Sequence, residues 1–245
     1  MDAHSSREGV KVMSAAAIKR RLGALGNRED AKVLQWFFKT GPGEYGEGDV
    51  FAGVRVPVLR KLSGEFAGAD ESTLHALLES MVHEERLLAL LILVRQFEKG
   101  NEAGRSRIYT FYLAHTNRIN NWDLVDLSAP RVVGGYLVNR PRRLLYRLVK
   151  STSLWERRIA VLATFAFIRQ GDFADSLALA ERLLGDREDL IHKAVGWMLR
   201  EVGKRDLAVL ETFLKPRCKT MPRTMLRYAI EKFPEPLRLA YLRAS

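Results

Sequence analysis

The stretch Asn121-Trp122-Asp123-Leu124-Val125-Asp126 sets an aromatic ring and a carboxylate four residues apart, and on a helix that spacing puts both on one face. Two later stretches add to it: Leu154-Trp155-Glu156-Arg157-Arg158 and Gly196-Trp197-Met198-Leu199-Arg200-Glu201. Together Trp122, Asp126, Arg158 and Trp197 offer a fixed anion, a guanidinium that could orient it, and two electron-rich ring faces. Such groups stabilise a cation that develops during a reaction. Each residue also has a plainer reading. A helical tryptophan more often fills a core than a site. Asp126, in mid-helix, could pair with Arg131 or Arg158 as a satisfied ion pair between layers. It is the set, on neighbouring helices, that points to chemistry.

The elements that must position these groups are helices. Apolar residues recur at helical spacing nearly throughout, without the β-branched alternation of strands, so the chain reads as all-α. The pattern predicts helices over about 14–24, 29–39, 56–67, 71–81, 84–99, 103–116, 121–137, 141–149, 153–169, 173–184, 188–203, 206–215, 221–232 and 235–243. Gly41-Pro42-Gly43, Gly100-Asn101, Pro141, Gly171-Asp172, Gly185-Asp186 and Pro234 punctuate them. Arg86, Asp123, Arg158 and Lys193 stand at equivalent points in steps of 37, 35 and 35 residues, with a weaker copy near Arg223. That period is the signature of HEAT-like helix pairs, which stack into a single solenoid and line one concave surface with equivalent positions. The expectation is one domain over 1–245, with 1–13 as a flexible extension.

Composition narrows the partners. The formal charge is +11 and the pI about 9.9, an excess that draws polyanions. Between Arg131 and Arg158 eight basic residues face one acid, Glu156, and Lys215, Arg217, Lys219, Arg223 and Arg227 form a second cluster. Arg86, Arg158 and Lys193 would form a ladder on the concave surface, with Arg157, Arg200, Lys204 and Arg205 extending it toward a phosphate backbone. The alternative is that these side chains bond to the loops of adjacent repeats. The lone cysteine, Cys218, offers neither a disulfide nor a zinc site, so no metal or cofactor is expected. The longest apolar run, Leu87 to Val94, is far too short to span a bilayer, and no signal-peptide stretch is present; a cytoplasmic protein, held at the nucleoid through DNA, is expected.

The stretches Trp122-Asp123-Leu124-Val125-Asp126, Leu154-Trp155-Glu156-Arg157-Arg158-Ile159-Ala160 and Lys193-Ala194-Val195-Gly196-Trp197-Met198-Leu199-Arg200-Glu201 resemble the three signature helices of the AlkD-like DNA glycosylases. The resemblance runs from about Lys32 to Phe233 and takes in the entry Phe51-Ala52-Gly53-Val54-Arg55-Val56-Pro57. It implies a right-handed α-solenoid with a basic concave groove, in which Trp122 and Trp197 are the active-site tryptophans, Asp126 the catalytic aspartate and Arg158 the motif arginine. The implied activity is excision of cationic N3- and N7-alkylated purines, such as 3-methyladenine and 7-methylguanine, from double-stranded DNA by a monomer. It also implies a site without a base pocket, which the sequence alone does not decide. Phe37 stands where members of the family can carry a tyrosine, and the loop Gly41 to Gly48 is longer than the usual connection.

Two rivals remain at this level: a binding protein for damaged or branched DNA that excises nothing, and a protein-interaction scaffold. Salt separates the second from the first two. Affinity for duplex DNA should fall linearly on a log–log plot against salt, with a slope of about −0.9 per phosphate contacted. A salt-independent or absent DNA affinity leaves only the scaffold.

Overall fold

The computed structural model describes residues 14–244, so the expected extension at 1–13 lies outside the described residues. All regular structure among them is helical apart from an isolated parallel bridge between Val50 and Val82. The chain divides into two compact units, 1–92 and 93–245.

The first unit is built from α1 (Ala15–Gly23), α2 (Arg28–Phe37), α3 (Val56–Glu65), α4 (Glu71–Leu78) and most of α5 (His83–Lys99). Its core is aliphatic, with Ile18, Leu22, Leu59, Leu62, Leu74, Leu77 and Leu88 shut away from solvent. Local chemistry starts the helices where the sequence places them. The side chains of Ser14, Asn27 and Asp70 accept hydrogen bonds from first-turn N–H groups of α1, α2 and α4, which otherwise lack partners. The Glu84 carboxylate, buried in the first turn of α5, accepts hydrogen bonds from the backbone N–H groups of Ala52, Gly53 and Val54 at 2.8–3.1 Å. That one side chain holds the entry to α3 in place.

The second unit continues with α6 (Glu102–Ala114), α7 (Trp122–Ala129), α8 (Gly135–Leu137), α9 (Arg143–Leu148), α10 (Leu154–Ala163), α11 (Phe165–Ile168), α12 (Ala174–Arg182), α13 (Asp189–Gly203), α14 (Leu207–Leu214), α15 (Arg223–Ala229) and α16 (Glu235–Ala244). Helices α7, α10, α13 and α15 pack in succession, each on the next. These four carry Asp123, Arg158, Lys193 and Arg223, so the repeat read from the sequence is the repeat of the packing. Helices α9, α12 and α14 each pack on the member of this row that follows or precedes them in the chain.

Two helices expected to be regular carry irregular turns. The helix expected over 121–137 runs without a gap from Trp122 to Leu137, but Pro130, which lacks an N–H and crowds the preceding turn, opens a π-helical turn at Pro130–Gly134 between α7 and α8. Over 153–169, the break is at Thr164, whose N–H and hydroxyl both donate to the Val161 carbonyl, at 3.1 and 2.7 Å. That tight turn redirects the chain into α11.

Close approach within the row rests on two glycines. A Cβ at Gly134 would lie 2.3 Å from the Ala163 carbonyl oxygen, and one at Gly196 would lie 2.5 Å from Tyr228 Cβ and 2.6 Å from the Met225 carbonyl oxygen. Backbone cannot yield there as a flexible side chain could. Gly196→Val should therefore lower the free energy of unfolding by about 1–3 kcal/mol in a denaturant titration. An unchanged midpoint would show that α13 and α15 are not held at this distance.

Candidate active site

Asp126 lies one turn into α7, and α7 starts where it does because the buried Asn121 side chain accepts a hydrogen bond from the Trp122 N–H at 2.8 Å. From α10, Arg158 meets the carboxylate edge-on: Nε donates to Oδ1 at 2.8 Å and Nη2 to Oδ2 at 2.9 Å. Its remaining nitrogen, Nη1, donates to the Leu190 carbonyl at 2.5 Å. One guanidinium thus ties together α7, α10 and the start of α13. The side chains are 6% exposed for Arg158 and 15% for Asp126, so the pair is nearly sealed, with the exposed remainder on the carboxylate.

Burial pushes the Asp126 carboxyl above its ordinary value, and the nearby Asp123 charge adds to the push; the charge and hydrogen bonds of Arg158 pull it back only in part. Behind it, the buried Tyr112 hydroxyl shares a 2.9 Å hydrogen bond with the Ser128 hydroxyl, which also donates to the Leu124 carbonyl at 2.5 Å. This interior contact fixes α6 against α7. Burial keeps the Tyr112 phenol protonated far beyond the ordinary range.

A cavity of about 490 Å³ opens against Asp126. Phe97, Pro130, Phe165 and Trp197 give it apolar walls, and Arg105, Arg131 and Arg169 bring guanidiniums to it. The rings of Phe165 and Trp197 are 6.1 Å apart, and the Arg169 and Arg205 guanidiniums lie 4.9 and 6.0 Å from the centre of Phe165. Trp197 is held by the neighbouring turn of its own helix. Burial pushes the Glu201 carboxyl up, but Lys204, Arg205 and the Trp197 side chain hydrogen-bond to it and together hold it below its ordinary value.

The other residues singled out in the sequence fall as follows. Trp122 is half-buried at the start of α7, one turn before Asp126, and is not part of the cavity wall. Arg86 belongs to the first unit, is 2% exposed, and is committed to Asp49 at 2.6 Å and the Ser80 carbonyl at 2.9 Å. Arg157 pairs with Asp186 at 2.7 Å and also donates to the Ser151 and Thr152 carbonyls. These two make the loop and interior bonds that were the alternative to phosphate contact. Arg200 pairs with Glu231, and Lys193 with Asp189 at 2.7 Å. Lys204 and Arg205 share Glu201 while staying well exposed.

Sequence reasoning missed Phe97, Phe165, Arg169 and the Tyr112–Ser128 contact. Phe165 and Arg169 were hidden inside what read as one helix over 153–169; the turn at Thr164 is what brings them to the cavity. Among the described residues no three His, Cys, Asp or Glu side chains gather as a metal site, and no helix is long and apolar enough to cross a membrane.

A family model described as DNA alkylation repair enzyme matches residues 18–233. Among solved structures, a predicted DNA alkylation repair enzyme from Enterococcus faecalis is 17% identical with a TM-score of 0.66, covering 86% of this chain and 97% of its own. AlkD2 from Streptococcus mutans is 16% identical with a TM-score of 0.53, over 90% of this chain and 97% of that one. The smu.31 protein from Streptococcus mutans UA159 is likewise 16% identical, with a TM-score of 0.51, over 90% and 99%. No curated protein matches the sequence.

The electrostatic balance at Asp126 is directly measurable. In a carbon-13 NMR titration of labelled aspartates, the Asp126 carboxyl should titrate above the ordinary aspartate value, and Arg158→Gln, by removing the cation that stabilises its anion, should move it higher still. A downward or absent shift in the variant would mean that Arg158 does not set the charge of this carboxylate.

Proposed function

We propose that this chain, a member of the DNA alkylation repair enzyme family, is a monofunctional DNA glycosylase that releases cationic N3- and N7-alkylated purines from duplex DNA. The observation that carries the reading is the Asp126 carboxylate, held by Arg158 on one edge and exposed on the other to a cavity walled by Trp197. Alkylation at N3 or N7 puts a positive charge on the purine and makes it a good leaving group. Departure of the base transfers the deficit to the sugar, whose transition state resembles an oxocarbenium ion.

Against that cation, a fixed anion in a partly dehydrated site needs no reorganisation at the moment of reaction. Asp126 supplies the charge and orients the attacking water. Trp197 packs on the sugar from the cavity wall, and Trp122, outside that wall, meets it from the start of α7. Arg158, whose nitrogens are already spent on Asp126 and on Leu190, acts as a positioning residue and is no free hand for a phosphate. The backbone contacts then fall to cations still within reach of solvent, Lys204 and Arg205 with Lys193, and to Arg169.

The cavity bears on how the lesion is met. Its lining holds three guanidiniums against two carboxylates, Asp126 and the Glu98 that pairs with Arg131, and this net positive balance suits an anionic sugar–phosphate backbone better than a base that is itself cationic. That charge supports contact through the backbone without extrusion of the lesion into a pocket. A carboxylate presented to the cavity speaks against the purely DNA-binding alternative, for which a buried anion facing phosphate is a cost.

The experiment is release of 7-methylguanine from methylated duplex DNA under single-turnover conditions. Wild type should excise, and Asp126→Asn should lose on the order of 10²–10³ in rate while retaining duplex affinity. No excision by wild type, with tight binding to duplex or branched DNA, would leave the binding-protein reading in its place.

A further inference from the structure

The site uses only the two ends of the basic segment between Arg131 and Arg158, and leaves the six cations between them unaccounted for. Five of its eight cations are matched to carboxylates: Arg131 to Glu98, Arg140 to Glu102, Arg142 to Asp172 and Asp175, Arg157 to Asp186, and Arg158 to Asp126. Arg143, Arg147 and Lys150 have no carboxylate partner among the described residues. Carboxylates are close at hand, but they are spent elsewhere: Asp175 on Arg142 and the Tyr146 hydroxyl, and Asp186 on Arg157.

The three free cations share one stripe. At 100° per residue, Arg143 and Arg147 lie one turn apart on one side of α9, with the buried Leu145 and Leu148 on the other, and Lys150 follows just past the helix end, in the turn closed by its N–H on the Arg147 carbonyl. α9 packs on α10 through that apolar side, so the stripe faces outward and all three residues are exposed. The helical rise from Arg143 to Arg147 is about 6 Å, and Lys150 carries the row past the helix end. A strand of duplex DNA carries one phosphate per roughly 3.4 Å of axis, so cations spaced in this way can meet successive phosphates. Arg182 on α12 flanks the stripe, lying 5.4 Å from the centre of the Tyr146 ring, again with no carboxylate partner among the described residues.

We propose that the outer stripe Arg143–Arg147–Lys150 is a second duplex-DNA contact, separate from the site around Asp126, by which the protein holds one segment of DNA while another occupies that site. Its chemistry is sequence-blind neutralisation of phosphates, and it lets the protein pass from segment to segment without full release. The inference stands on charge and geometry and does not depend on excision.

The test uses the full chain and two short, unmodified duplexes of unrelated sequence, one carrying a donor dye and the other an acceptor. Wild type at low salt should bring them together, giving energy transfer that the triple variant Arg143→Gln, Arg147→Gln, Lys150→Gln loses while still binding one duplex. With three phosphates neutralised, the affinity for the second duplex should fall about 40-fold for a fourfold rise in salt. Exchanging each cation for the other type, Arg143→Lys, Arg147→Lys and Lys150→Arg, should preserve bridging, because point charges suffice for phosphate. No bridging by wild type at low salt, or undiminished bridging by the triple glutamine variant, overturns the proposal. Excision plays no part in the readout, so its loss would tell against the glycosylase reading alone.

Discussion

A buried carboxylate is tolerable only if something meets its charge, and at Asp126 that something is the bidentate guanidinium of Arg158. Three helices of the second unit, α7, α10 and α13, meet at this pair. α7 and α10 must run side by side for the two groups to meet, and Arg158 reaches on to the Leu190 carbonyl, so the start of α13 is set by the same side chain. Removing either partner from such a sealed pair leaves an uncompensated charge at a cost of about 3–5 kcal/mol. The pair does not fully restore the carboxylate to water-like conditions, and the residual push from burial and from Asp123 leaves the Asp126 carboxyl above its ordinary value.

Closeness of the helices is the second constraint. Gly134 and Gly196 remove the side chains that would force α10 away from the π-helical turn and α13 away from α15. The π-helical turn at Pro130–Gly134 and the residues after the turn at Thr164 lie at the cavity, where Pro130, Phe165 and Arg169 join Trp197 of α13 beside Asp126. The site is thus made at irregularities between helices. The regular helices supply its rigidity, and the turns supply its walls.

Much of this was legible in the residues. A repeat step of 35, read from Asp123, Arg158 and Lys193, identified the helices that form the central row, because equivalent positions in a stack must bury equivalent faces. Glycines, prolines and capping side chains marked most of the ends. The π-helical turn after Pro130 and the tight turn at Thr164 were not legible, because apolar periodicity persists across both. The roles of the arginines were also hidden. Arg86, Arg157 and Arg158 look alike in the sequence, yet each is committed to an aspartate 29 to 37 residues distant, and no local pattern distinguishes a paired arginine from a free one.

The central claim is that Arg158 acts on the chemistry only through Asp126. A double-mutant cycle on single-turnover excision tests it most directly, using Asp126→Asn, Arg158→Gln and both together. If the two side chains work as one unit, Arg158→Gln slows excision in the wild-type background and changes nothing further once Asp126 is asparagine. Losses that simply add would contradict the account, and would give Arg158 a contact with DNA of its own.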